Sequence, residues 1–351
     1  MPRLYLVIIL SSWTCLLAQE QRPFLEFQAG RATIHPSGFF DEIAQFRSEP
    51  TGESISTHFG RIPLTDGPSE WVSSPSHSRF QTKGWADLGD FRLTGYYEMD
   101  FQGTNIPYRV RQAFGELQHG KWRFLAGRAW TLMRPNRWGM ESDSGVWNTD
   151  VVEPQYHVGI VGFRTDQLRI SRYDEHWGAS VSLERRNERT GTDLYFKVMK
   201  QYSTDGKRYH LEASGMAGAG RSGVMISGIV PIVKRLQFVT QEFYSRNAVY
   251  NALGIIPSGI TGGSFVEGLE AKLTRTFEVY GYGGMVIAQR TKTGNHHVRE
   301  ATVGLQKLLP VTPWHGTART CLQISRTDRD VWTGREGGVT QVILQLRYDL
   351  P

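Results

Sequence analysis

The chain has 351 residues, 39% of them hydrophobic, and 40 Lys and Arg against 34 Asp and Glu give a formal net charge of +6. The basic excess is modest and forms no block, which speaks against a nucleic-acid binder, whose charge gathers in a stripe or tail. No segment after the N-terminal run approaches the roughly 20 apolar residues of a transmembrane helix.

The first element is a leader. Arg3, the apolar run Leu4 to Leu10 and the small residue Ala18 are the parts of a secretory signal. Cleavage is expected after Ala18, making 1–18 the signal peptide and 19–351 the exported domain. Cys15 leaves with the signal and Cys321 remains alone, so no internal disulfide is available.

From there the dominant pattern is period two, the mark of strands with two unlike faces. Strands are predicted at 24–35, 77–84, 90–101, 107–118, 122–131, 156–172, 177–187, 191–203, 207–219, 222–233, 236–247, 263–275, 277–289, 297–309, 316–328 and 339–350. Phe91, Leu93, Tyr97, Met99 and Phe101 form one face of the third, and Arg92, Thr94, Tyr96, Glu98 and Asp100 the other. In the last, Val342, Leu344, Leu346 and Tyr348 oppose Ile343, Gln345, Arg347 and Asp349. Tight turns such as Thr190-Gly191 and Thr204-Asp205-Gly206 alternate with long connections at 36–76, 131–155 and 248–262. Aromatic residues stand at strand ends: Phe91, Phe101, Trp122, Trp130, Trp177 and Tyr348.

Together these predict an all-β fold, a transmembrane antiparallel β-barrel of about sixteen strands. In lipid a sheet must close on itself to satisfy its backbone. A soluble sandwich or propeller would cover its outer face with Lys and Glu, whereas the polar faces here mix Arg, Glu, Ser, Gly, Gln and Tyr, as in a hydrated lumen.

Residues 78–130 sharpen this. Ser78-Arg79-Phe80-Gln81-Thr82-Lys83, Leu88-Gly89-Asp90-Phe91-Arg92 and Glu98-Met99-Asp100-Phe101 look like the early hairpin of the DcaP-type outer-membrane porins. Tyr108-Arg109-Val110-Arg111-Gln112-Ala113-Phe114-Gly115 and Phe124-Leu125-Ala126-Gly127-Arg128-Ala129-Trp130 resemble that family's next two strands. The match continues in 167–172 and 177–184 and covers about a third of the chain. The resemblance implies a sixteen-stranded porin of the bacterial outer membrane, a homotrimer bounded by lipid and lipopolysaccharide. It would pass small hydrophilic, anionic solutes without a cofactor.

In such a porin the segment after the fifth strand folds inward and constricts the pore. Here that segment is 131–152, with Arg134, Arg137, Glu141 and Asp143. Facing it, Arg109, Arg111 and Arg128 are expected to form a basic wall that favours anions, with Arg92, Glu98 and Asp100 also on the lumen. The opposing possibility is that these arginines simply satisfy the neighbouring acids.

Enzyme signals are thin. Gly218-Ala219-Gly220-Arg221-Ser222-Gly223 spells a dinucleotide fingerprint, but a strand follows where a helix is required. His296-His297 reads as an exposed pair beside a turn, not a metal site. Two other readings stay open: a structural or adhesive barrel with a lumen closed by bulky apolar packing, and a barrel enzyme such as a phospholipase.

Overall fold

A computed structural model describes residues 25–52, 55–102, 108–143, 152, 157–185, 191–247, 255, 259–292, 294–309 and 316–350. The expected signal peptide lies outside the described residues. The strands are β1 (Phe27–Ala29), β2 (Ala32–Arg47), β3 (Glu70–Ser74), β4 (Arg79–Leu88), β5 (Phe91–Asp100), β6 (Arg109–His119), β7 (Trp122–Trp130), β8 (Arg164–Tyr173) and β9 (Trp177–Arg185). They continue as β10 (Thr192–Thr204), β11 (Lys207–Gly218), β12 (Arg221–Val233), β13 (Leu236–Arg246), β14 (Gly262–Lys272), β15 (Phe277–Ala288), β16 (Asn295–Leu309), β17 (Thr317–Val331) and β18 (Glu336–Asp349).

From β4 onward each strand pairs antiparallel with the next, and β18 pairs with β2, which closes the sheet. The eighteen strands occupy sixteen positions, because two positions are shared. β3 and β4 both pair with β2 on one side, through Ile43↔Ser74 and Phe39↔Arg79. On its other side β2 pairs with β18 at Phe39↔Asp349 and with β1 at Ile34↔Phe27. Closure through β18 and β2 removes the long free edges of the sheet, the condition for a sheet in lipid.

The alternation sets the two faces. On β5, Phe91, Leu93 and Tyr97 are exposed on the outside, while Tyr96, Glu98 and Asp100 are buried inside. Leu168 and Ile170, Leu194 and Phe196, and Leu344 and Leu346 repeat the outward apolar band around the wall. Phe91, Phe101, Trp122 and Trp177 stand exposed at strand ends, as interfacial rings do. Trp130 departs from the expectation. It is buried, with the Arg164 and Arg134 guanidinium groups 3.9 and 4.7 Å from its ring centre. No helix among the described residues is long enough to cross a membrane; the strands make the crossing.

One end of the barrel carries tight turns and the other the long connections. Asp205-Gly206, at the turn end, takes positive φ at both positions (52° and 72°), the two-residue turn whose twist matches flanking strands. Thr190-Gly191, expected as a tight turn, falls at the loop end, and Thr190 is outside the described residues. The first strand is also displaced. Residues 36–47, expected within a loop, belong to β2, and the described part of the predicted strand 24–35 is a hairpin of β1 with its start. Pro36-Ser37-Gly38 breaks the apolar alternation without ending the ladder, since Pro36 still pairs with Thr82. Likewise 156–172 begins too early: β8 starts at Arg164, and His157 to Val161 lie buried inside the barrel.

Candidate functional site

The segment between β7 and β8 enters the lumen. A backbone bond from Thr131 N to Phe163 O (3.0 Å) closes its base. Backbone amides taken inside a barrel without a ladder partner need acceptors, and the wall supplies them. Leu132 N donates to Glu184 Oε1 (3.0 Å), Asn136 N to Glu212 Oε1 (2.9 Å) and Gly139 N to Gln201 Oε1 (2.8 Å). Lys197 Nζ reaches Asn136 Oδ1 (2.9 Å), Glu212 Oε2 (3.0 Å) and the Arg134 carbonyl. Leu132 and Met133 pack on Tyr195, Met216, Met225 and Phe243 of the same wall.

The returning limb is held the same way. Val152 N donates to Gln323 Oε1 (2.9 Å) and Val158 N to Glu300 Oε2 (2.8 Å). Gln241 Nε2 and Ser264 Oγ donate to Gly159 O, at 2.7 and 2.8 Å. Gly284 gives the loop room, since a Cβ there would stand 2.2 Å from Val158 O. Acceptors and donors from β9 to β17 thus fasten the loop to one long arc of the wall.

Its outgoing limb reaches the other arc at residues 141–143. Asp143 Oδ2 meets Lys83 Nζ of β4 at 2.6 Å, and Glu141 Oε2 meets Arg123 Nη1 of β7 at 3.1 Å. Arg123 also pairs with Glu116 (3.3 Å), and Ser142 Oγ accepts from Arg169 Nη1 (2.9 Å). Between tip and wall lies a polar cavity of 440 Å³ toward the turn end, lined by His35, Lys83, Trp85, Arg92, Thr94, Phe114, Glu116, Gln118, Arg123, Glu141, Ser142 and Asp143.

The residues singled out in the sequence do not form one constellation. Arg92 lines the cavity and is bound to Asp87 (2.7 and 3.0 Å). Nearer the loop end, Arg111 is buried with Glu98 (2.7 Å) and Asp100 (2.5 Å), and Arg109 pairs with Asp100 (2.6 Å). The β5–β6 register shifts there, with Glu98 opposite Gln112 and Met99 opposite Val110. This bulge turns Arg111 inward beside Gln112. Arg128 departs from the expected basic wall. It lies on the outward face, its Nη1 3.8 Å from Asp166, whose neighbours of like parity are the exposed Leu168 and Ile170. Arg134 and Arg137 sit on the fastened limb, Arg137 paired with Glu270. Asp143 and Glu141 do face basic residues, but these are Lys83 and Arg123.

Lys83, Arg123, Glu116 and Trp85 are therefore the residues that sequence reasoning missed. Parity could have found them. Lys83 and Trp85 alternate with Thr82, Gly84 and Ala86, and Arg123 lies between the outward Trp122 and Phe124. The same rule places Arg128 outside with Trp122 and Phe124. The inner face is also more apolar than expected, with Ile229, Val239, Val266, Tyr280 and Ile343 buried around Ile55, Val152 and Ile160 of the inward loops.

A closed sixteen-stranded barrel narrowed by an inward loop is the fold of the outer-membrane porins. The outer membrane channel DcaP of Acinetobacter baumannii is similar with a TM-score of 0.74 at 15% identity, over 93% of this chain and 100% of that one. In-vitro folded OmpT of Vibrio cholerae follows at 0.62 and 9%, over 92% and 99%. The anion-selective porin from Comamonas acidovorans gives 0.59 and 13%, over 91% and 99%. No family model and no curated protein matches the chain. The fold implied by the resemblance to DcaP-type porins is the fold found.

Proposed function

We propose that the chain is an outer-membrane porin, a passive diffusion channel for small hydrophilic solutes. The observation that carries this is the polar cavity at the constriction, bounded by charged groups from both loop and wall. Solutes would cross between the loop tip and the arc from β4 to β7, since the opposite arc is occupied by the fastened loop. The outward apolar band and its interfacial rings support residence in lipid, with the long connections toward lipopolysaccharide and the tight turns toward the periplasm. Residues 1–18 would be the export signal, tested by sequencing the N-terminus of the purified protein.

The preference for anions was expected from Arg109, Arg111 and Arg128. Acids neutralise Arg109 and Arg111, and Arg128 faces outward, so that basis is gone. Within the cavity Lys83, Arg92 and Arg123 are matched by Glu116, Glu141 and Asp143, which favours weak ion selectivity.

A homotrimer is part of the proposal. Gly84, Gly95, Gly115 and Ala126 lie in register on the outward face of β4 to β7. A Cβ on Gly95 would meet nothing within 4 Å. Glycine weakens a strand, so its presence here fits close approach by another copy.

Conductance in planar bilayers tests the reading: discrete steps are expected, closing in threes. The second reading, a structural barrel with a closed lumen, is favoured by the apolar inner packing around Ile229, Tyr280 and Ile343. Folded protein that gives no conductance and no liposome swelling with small sugars would establish it instead.

A further inference from the structure

We infer that the constriction selects for dipolar solutes, of which a small zwitterionic amino acid is the simplest. This rests on the channel reading and adds the solute class. Two ion pairs span the gap between loop tip and wall. Lys83–Asp143 and Arg123–Glu141 join different elements, and each has an exposed partner: 42% of the Lys83 side chain and 43% of Glu141 are accessible. Pairs in contact with water are worth about 0–1 kcal/mol, so opening them costs little. The Arg111–Glu98 pair contrasts with them, its side chains being 1% and 2% exposed. Removing a partner there would strand a buried charge, which makes that pair part of the frame.

The consequence concerns which solute can open a gap pair and leave nothing unsatisfied. A monoanion that takes Lys83 releases Asp143 without a counter-charge, and a monocation does the reverse. A molecule with a carboxylate and an ammonium group replaces both partners at once. A neutral sugar replaces neither and must pass between closed pairs. The cavity of 440 Å³ is within the range that holds a small organic molecule. Thr94 and Gln118 on its wall add neutral hydrogen-bonding groups beside the charged pairs.

Proteoliposomes containing the full-length protein, given labelled alanine, lactate or arabinose, test the inference. In the parent protein the alanine-to-arabinose flux ratio is expected to exceed the lactate-to-arabinose ratio. Lys83→Met/Asp143→Leu, which keeps net charge but removes one pair, should lower the alanine ratio about threefold, the scale of one half-exposed pair. Lys83→Asp/Asp143→Lys, which reverses the pair, should restore it. An unchanged alanine ratio in the first variant, or lactate outpacing alanine in the parent, overturns the inference while the channel reading stands. Exclusion of alanine, lactate and arabinose alike by folded parent protein overturns the channel reading itself. Resistance of the folded barrel to detergent without heating confirms that each variant compared is native.

Discussion

The constricting loop touches the barrel in two ways. On the arc from β9 to β17 its amides and carbonyls meet buried side chains, with Lys197 and Glu212 at 2% and 0% exposure. On the arc from β4 to β7 it meets Lys83 and Arg123 through pairs open to the cavity. The chemistry is the same, carboxylate against ammonium or guanidinium. The surroundings reverse its energetic meaning, because removing one partner of a buried pair is expensive and removing one of a wetted pair is not. One arc therefore fixes the loop, and the other leaves its charges open to the cavity.

The sharpest way to break this comparison is Lys197→Met, which strips Glu212 of its ammonium partner and two loop acceptors of their donor. A loss of about 3–5 kcal/mol is expected for a buried pair broken on one side, read from urea unfolding in detergent. A loss under about 1 kcal/mol would put both arcs on the same footing. Gly284→Val comes next, since its Cβ would stand 2.2 Å from Val158 O. Overpacking of this kind costs about 1–3 kcal/mol, and the displaced loop should also change single-channel conductance. Unaltered conductance would show that this limb does not shape the pore.

Asp143→Asn should barely change stability, by less than about 1 kcal/mol, yet shift the reversal potential toward anions. No shift would remove Asp143 from the ion path. The smallest effect is expected outside the membrane, in the turn after β8. There a hydrogen bond from Lys121, with others from the His176 and Trp177 amides, holds the Asp174 carboxyl well below the usual carboxylate range. A depressed pKa stabilises the fold above the unfolded value of about 4, and that part is lost as pH falls through the folded value. Asp174→Asn should therefore lower stability slightly at neutral pH, with the deficit shrinking in acid. A deficit constant with pH would rule out this linkage.

Much of the fold was legible because alternation is a direct print of the two environments. Phe91, Leu93 and Tyr97 against Tyr96, Glu98 and Asp100 give both the strand and its facing. The start was misread at Pro36-Ser37-Gly38, where alternation lapses although pairing with β4 goes on. In the site, Arg128 was misplaced although its parity with Trp122 and Phe124 was available. The inward turn of Arg111 was not available, because it depends on a bulge against β5. Nor could the sequence show that Glu184, Glu212 and Glu300 would receive loop amides. Those contacts join residues far apart in the chain, and no local pattern marks them.

The position shared by β1 and β18 bears on how the barrel is made. Phe27–Ala29 continues along β2 where the ladder from Asp349 leaves off. The same stave thus takes a piece from each end of the sequence, and its N-terminal piece forms a short hairpin with β2. In the closed barrel Phe27–Ala29 lies beyond the end of β18 on the same side of β2 and leaves β18 no free ladder to slide into in that direction. A slip by one residue would turn Leu344 and Leu346 into the lumen, so an end-stop at this point guards the orientation of the whole closing strand.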